Sequence, residues 1–286
     1  MTARNQFIRS FETKIKNTIK KYSLINKKDK ILVACSGGKD STTALYLLNK
    51  FGYKVEAIAI DMLIGNYSKE NMKNIERFCG DNKIKLHKIS FRDEFGHSLC
   101  YLTSVLKSKG SRLESCTVCG ILRRHLLNRK VRELKAAKVA TGHNLDDEAQ
   151  TILMNILKGN PGLNAKLGPE TGVVKDKKFV PRIKPLFFCL EKDVEKYSRL
   201  MKFPVKYGRC PCSVGVFRAS VREELRKLRN TDKIKLNIVN DFLKQLPKLR
   251  AKYKTNEKIS YCTECGEPSK GKVCSACRIL QLLNSN

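Results

Sequence analysis

Lys30-Ile31-Leu32-Val33-Ala34-Cys35-Ser36-Gly37-Gly38-Lys39-Asp40-Ser41 is the stretch that decides the fold. Ile31 to Cys35 is a short unbroken apolar run, as expected of a strand buried on both faces of a parallel sheet. Helical spacing sets in at Asp40 and runs to Lys50. Between them, two glycines let the backbone approach a ligand closely, and the helix N-terminus offers free N–H groups and a positive dipole end to an anion. Ser36, Lys39 and Ser41 add donors. An ordinary strand-to-helix turn capped by Ser or Asp does not require so many ligand-directed groups in six residues. The pattern is not GxxxxGK[ST], so γ-phosphate transfer is disfavoured.

Outward from this stretch, strands and helices alternate. Lys54–Ile60 and Lys83–Ser90 read as strands, as do residues 138–141; helices are expected over 5–22, 68–81, 97–108, 119–135 and 144–158. The helix at 119–135 sets Leu122, Leu126, Leu127, Val131 and Leu134 on one face, and that at 144–158 turns Ala149, Ile152, Leu153, Ile156 and Leu157 inward. This alternation implies an α/β fold: a doubly wound parallel sheet with right-handed crossovers. Residues 159–180, rich in Gly and Pro, form a loop of functional length. A helix near 190–201 and a strand at Pro204–Tyr207 close the body, followed by basic helices at 216–229 and 232–250. The chain divides into an N-terminal basic helix (1–24), a catalytic α/β domain (25–208), a basic helical segment (209–255) and a four-cysteine module (256–286).

The 286 residues carry a formal charge of +31, with +10 in residues 209–286 and +21 before them. A basic surface spread over the body calls for an anionic partner, nucleic acid first, although a lysine-biased genome would raise the charge too. A hydrophobic content of 41% excludes a disordered chain. No apolar run exceeds the five residues of Ile31–Cys35, far below the roughly 20 of a membrane span, so no membrane association is expected. Arg4 and Arg9 in an acid-poor start would suit a presequence, but Glu12 and the regular spacing of Phe7, Phe11, Ile15 and Ile19 suit a folded helix. A reducing cytoplasm is the expected location, because the twelve cysteines fall in metal-like spacings rather than a disulfide framework.

Cys262-x2-Cys265 and Cys274-x2-Cys277, with Gly266 and Gly271 to turn the chain, have the spacing of a closed structural Zn²⁺ site. It would present Lys270, Lys272 and Arg278 to RNA. Cys116-x2-Cys119 precedes an arginine-rich helix, where thiolates should have lowered pKa values. The pair could be structural, redox-active or metal-binding. Asp61 ends the second strand, where a doubly wound sheet binds ligand. Asp146, Asp147 and Glu148 open a helix, where acids are favourable for the dipole alone. Cys35, Cys79, Cys100 and Cys189 read as small core residues, and His143 as structural or positional.

The motif SGGKDS after a strand resembles the PP-loop of the ATP-pyrophosphatase superfamily. CTVCGILRRHLLN (116–128), TGHNLDDEAQTILMNILKGNPG (141–162) and RCP (209–211) resemble the tRNA thiolation enzymes of the TtcA/TtuA group. With the terminal zinc module, the pattern is most similar to TtuA-type tRNA 2-thiouridine synthetases. The resemblance implies an ATP-dependent tRNA uridine 2-sulfurtransferase using ATP and Mg²⁺. It implies a [4Fe–4S] cluster on Cys116, Cys119 and Cys210, although zinc with an open position fits three thiolates too. It assigns catalysis to those cysteines and Asp147. It assigns the nucleotide to Ser36–Ser41 (with Asp40) and Gly142, and to the backbone of Ala34 and Ile60, with Arg123 contacting phosphate or adenylate. It also implies a sulfur donor, either sulfide or a ubiquitin-like thiocarboxylated protein, and a possible homodimer. Three departures stand out: Cys212 in place of a non-cysteine residue, Arg123 in place of lysine, and no cysteine before Cys35 where the family often has a second zinc module. Competing readings are a 2-thiocytidine synthetase of the same superfamily, a non-catalytic RNA-binding zinc protein, and a synthetase for a small metabolite.

Overall fold

The computed structural model describes residues 2–171, 176, 178–208, 210–213, 215–253 and 260–284. Three parallel strands form the centre: β1 (Lys30–Cys35), β2 (Lys54–Asp61) and β3 (Leu86–Ser90). Leu32 and Ile58 of the first two are buried among Leu127, Val131, Val139 and Val180, while Ile31, Val33, Ala57 and Ala59 belong to the opposite core. Both faces are therefore covered, which is why these strands read as continuous apolar runs. β4 (Lys138–Ala140) pairs parallel on the other side of β1. β6 (Arg182–Ile183) continues parallel, and β5 (Glu170–Thr171) closes that edge antiparallel, giving the order β3-β2-β1-β4-β6-β5. The doubly wound α/β fold is the one expected.

One core layer joins α1 (Ala3–Lys21), α2 (Lys39–Lys50), α3 (Gly65–Asp81) and α9 (Glu191–Leu200) to the sheet. Here Phe11 stacks on Tyr197 at 4.7 Å, and the Tyr197 hydroxyl donates to Glu12 at 2.7 Å. On the other side lie α4 (Phe91–Phe95), α5 (Leu99–Ser108) and α6 (Ser115–Glu133). The tail packs on them. It consists of a hairpin, β7 (Ser260–Tyr261) and β8 (Pro268–Ser269), and α12 (Ser275–Asn284). Ala276 and Ile279 share one cluster with Val118, Leu122 and Leu126 of α6. α7 (Leu145–Leu157) carries Leu145, Ala149 and Ile152 against Val239, Phe242 and Leu246 of α11 (Thr231–Lys252). The one-turn α8 (Pro161–Asn164) interrupts the loop after α7, and α10 (Phe217–Lys227) precedes α11. No helix among the described residues is long and apolar enough to cross a membrane.

Several expectations need correction. Pro204–Tyr207 is not a strand: Phe203 and Val205 pack into the core without joining the ladder, and the edge is made by β5 and β6. Ile156 and Leu157 are 54% and 66% exposed, because α11 covers only the first turns of α7. Cys35, Cys79 and Cys189 are buried as expected, but Cys100 is exposed.

Candidate active site and metal centres

β1 delivers the chain to Ser36 at the carboxyl edge of the sheet. The loop is held internally: Ser36 N–H donates to Ser41 Oγ at 3.1 Å, and Ser41 Oγ to the Gly38 carbonyl at 3.2 Å. Gly37 has φ +75°, and a Cβ there would run into the backbone of Asn71. Gly142, at the end of β4, is the second enforced glycine, since a Cβ would stand 2.6 Å from the Ser41 nitrogen. A Cβ on Gly38 would meet only Ser36 Oγ, at 3.5 Å, so that side of the loop faces open space. The cradle has room for an anion over the first N–H groups of α2.

Charge around the cradle is organised by pairs. Lys39 bridges Asp40 at 2.9 Å and Glu191 at 3.2 Å. Asn144 donates to Asp40 Oδ1 at 3.1 Å and caps α7, accepting from Asp147 N–H at 3.2 Å. Asp147 Oδ2 in turn accepts from Asn144 N–H at 3.3 Å, completing a capping box. Burial pushes the Asp40 carboxyl up against the pull of Lys39, and burial raises Asp147 against the pull of Arg218. Asp146, next in sequence, faces the other way and pairs with buried Lys235 at 2.6 Å. Asp61 Oδ1 accepts from Leu63 N–H at 2.8 Å in the turn after β2. Ala34 and Ile60 lie near the carboxyl ends of β1 and β2.

Cys116 and Cys119 lie within the first two turns of α6, not before it. Cys210 lies on the facing segment, just before the one-turn helix Pro211–Ser213. Cys116 Sγ donates to the Cys212 carbonyl at 3.1 Å, and Cys119 Sγ meets Met62 Sδ at 3.1 Å. Cys210 is near enough to both that negative charge on it would raise their pKa. The expected lowering of these thiols is not found. Burial pushes Cys116 and Cys119 up, and Arg123 opposes it without winning. Such thiols become comfortable thiolates only on a metal. Three neighbouring thiols fit an iron–sulfur cluster with an open iron, and zinc with an open position as well. Cys212 adjoins Cys210, Cys100 and Cys116, and burial with these neighbours pushes its thiol up to about 12.

The four tail cysteines, by contrast, have ligand atoms all within 4.8 Å of one another. Cys265 and Cys274 are 3.7 Å apart, close to the sulfur spacing of tetrahedral zinc. Backbone N–H groups of Cys274 and Cys277 point at Cys262 and Cys274 Sγ, at 3.2 and 3.4 Å. Burial alone would raise Cys262, but the backbone N–H groups of Cys274, Cys265 and Glu264 bring it down to about 6. The site fits a structural metal ion.

Of the cations around His143, sequence reasoning found Arg123 and missed Arg182, Lys184 and Arg218. His143 is exposed and hydrogen-bonded to Thr141 at 2.8 Å; the protein atoms around it and then the positive charges of Lys184, Arg123, Arg218 and Arg182 lower its pKa. Arg218 donates to the Asp147 carbonyl at 3.4 Å and to Thr151 at 3.1 Å, and its charge also reaches Cys116. It links Asp147 to Cys116.

A diglycine cradle at the carboxyl edge of a doubly wound sheet, facing a trio of soft ligands, defines a nucleotide-binding α/β protein of the PP-loop kind. The chain belongs to the PP-loop domain family, whose pattern matches residues 8–228. It is 34% identical over 276 residues to a tRNA-5-methyluridine(54) 2-sulfurtransferase of Thermotoga maritima, covering 96% of this chain and 87% of that one. It is 30% identical to a cytoplasmic tRNA 2-thiolation protein 1 of Candida glabrata, covering 96% and 79%. Among solved structures, the U34-tRNA thiolase NcsA of Methanococcus maripaludis, with its [4Fe–4S] cluster, superposes with a TM-score of 0.79. It shares 28% identity over 97% of this chain and 88% of that one.

Proposed function

We propose that this protein is an ATP-dependent tRNA uridine 2-sulfurtransferase. One observation carries the reading: Arg218 hydrogen-bonds the Asp147 carbonyl and its charge reaches Cys116, while Asn144 ties Asp147 to Asp40 of the cradle, so that cradle, acid and cysteines are neighbours. The ATP phosphates lie on the N–H groups of α2, with Ser36, Ser41 and Lys39 as further donors. The backbone of Ala34 and Ile60 receives the adenine, beside Asp61 and Gly142. Asp40 is the carboxylate that would hold the Mg²⁺ of ATP, which leaves Asp147 free to act as a base.

The chemistry follows from what a carbonyl lacks. Uracil O2 is a poor leaving group until it is esterified to phosphate. Asp147, raised by burial, is placed to take the N3 proton as O2 attacks the α-phosphorus and pyrophosphate departs. Sulfur then adds at C2 and AMP leaves with the former O2. Arg123 holds the adenylate phosphate throughout; as a guanidinium it supplies charge rather than a proton. Cys116, Cys119 and Cys210 would hold a [4Fe–4S] cluster, which would supply an open iron able to bind the sulfur to be transferred. The tail cysteines hold Zn²⁺ as a structural ion. Sulfur arrives as sulfide or from a thiocarboxylated ubiquitin-like protein. The target base must leave its stack to reach the cleft. Twelve unpaired thiols fit a reducing cytoplasm.

Anaerobic purification should give a brown protein with about four irons per chain. C116A should lose the colour and the iron, keep ATP binding, and fail to convert uridine in tRNA nucleoside digests analysed by mass spectrometry. A colourless wild type that still thiolates would overturn the cluster assignment, and unmodified tRNA from active, cluster-loaded protein would overturn the function.

A further inference from the structure

The arginines of α6 divide into two groups. Toward its C-terminal half each has an acid: Arg129 pairs with Glu94, and Arg132 with Glu267. Lys184, just after β6, is likewise neutralised by Glu148 at 2.7 Å. In the cleft the pattern stops. Among the described residues, Arg123, Arg124 and Arg182 have no carboxylate within ion-pair range. The Arg124 guanidinium folds back over its own helix, so that a Cβ on Gly120 would meet its Nη1 at 3.1 Å. This places it beside Cys119. Arg182 reaches in from β6, and its Nε is buried without a hydrogen-bond partner. Burial and mutual repulsion lower the pKa of both: Arg124 feels Arg123, and Arg182 feels Arg124. Arg182 is half-buried, and an enclosed guanidinium without an acid is costly, whereas Arg124 is exposed and open to an anion from solvent. Arg123 and Arg182 both lie near His143, and Arg123 also acts on Cys116 and Cys119.

Resting on the thiolation reading above, we propose that Arg124 and Arg182 form the receptor for the RNA phosphate attached to the target uridine, docking that nucleotide between the cradle and the cysteine trio. The chemistry required is a phosphate oxyanion, which guanidinium groups recognise with paired donors. ATP also carries phosphates, but the Gly37–Ser41 loop and Lys39 receive its pyrophosphate side and Arg123 its adenylate phosphate, which leaves Arg124 and Arg182 without an assigned anion. What arrives on the cysteine side is the base, and a base in RNA brings its flanking phosphate. Arg124 and Arg182 are thus positioning residues for the base.

The test uses the cluster-loaded protein and an RNA stem–loop containing the uridine that the wild type thiolates. A second stem–loop carries a neutral methylphosphonate beside that uridine, placed in turn on its 5′ and 3′ sides. Binding is measured across salt in the presence of a non-hydrolysable ATP analogue. The wild type should lose about tenfold in affinity with one of the two methylphosphonates. R124Q/R182Q should bind the native stem–loop about tenfold more weakly, with a salt slope reduced by about 0.7, and should not distinguish native from neutralised RNA. Its affinity for the ATP analogue and its cluster absorbance should be unchanged, and its Tm equal or higher, since like-charge repulsion is removed. Three results would overturn the assignment. The methylphosphonate could be harmless to the wild type while native RNA binds normally, which leaves the thiolation reading standing. The double variant could lose ATP affinity with an unchanged RNA salt slope, making the anion the nucleotide's. It could instead lose its cluster absorbance, making the arginines supports for the cluster. A wild type that binds no RNA would remove the thiolation reading and this receptor together.

Discussion

At the scale of single residues, Asp146 and Asp147 show how two identical side chains divide structure from chemistry. Both begin α7, and in sequence either could simply favour the helix dipole. Asp146 lies against α11 and neutralises Lys235, both side chains 8% exposed. Asp147 caps the helix weakly and faces the cleft. D146A should therefore leave a buried ammonium without its partner and cost about 3–5 kcal/mol, read as a large fall in Tm. D147N should keep Tm within a few degrees and keep ATP binding, yet lower thiolation by about a hundredfold or more. A D147N enzyme with near-normal turnover would remove it from the reaction. Helix periodicity says which face a residue takes only when the neighbour is known, so nothing in the sequence but the resemblance to known enzymes separated the two acids. Gly142 was legible on the same basis, and its physical reason emerges only in three dimensions, where Ser41 backbone fills the place of a side chain. Arg124 and Arg182 were invisible because being unpaired is a property of surroundings, not of spacing.

At the scale of elements, the strands β1 and β2 could be read almost to their ends, because burial on both faces leaves an unbroken apolar signature. The two-residue β5 and β6 leave none. Arg182 and neighbouring Pro181 look like loop, and only the backbone bonds to β4 make β6 a strand. Pro204–Tyr207 failed in the opposite sense, having strand-like composition but no ladder to join. The short helix α4, not foreseen, ties itself to α6 through Glu94, which meets Arg129 and Lys130 with its side chain 17% exposed. Burial would raise this carboxyl, but Lys130 and Arg129 together hold it below its ordinary 4.5. A lowered carboxyl contributes stability that is full above the unfolded value and lost as pH falls through the folded one. Between pH 5 and 3, wild-type Tm should therefore fall more steeply than that of E94Q, with the two curves converging at the acid end. Parallel curves would show that the pair contributes nothing.

At the scale of the whole molecule, the tail and the catalytic body share one apolar cluster. Ile279 of α12, 2% exposed, packs with Leu122 and Leu126 on the helix that also carries Cys116 and Cys119. I279A should cost about 2–5 kcal/mol and accelerate loss of the iron-dependent absorbance under dilution, although no iron ligand is touched. An unchanged rate of bleaching would show that α6 stands without the tail. The four-cysteine module thus packs on the helix that carries Cys116 and Cys119. Synthesis gives this contact a direction in time. α6 leaves the ribosome with one face bare, and the segment that covers it follows more than a hundred residues later. If both cysteine groups take metal as proposed, the tail site should fill first and the cluster on α6 second. Cells short of zinc should then accumulate an enzyme that is poor in iron.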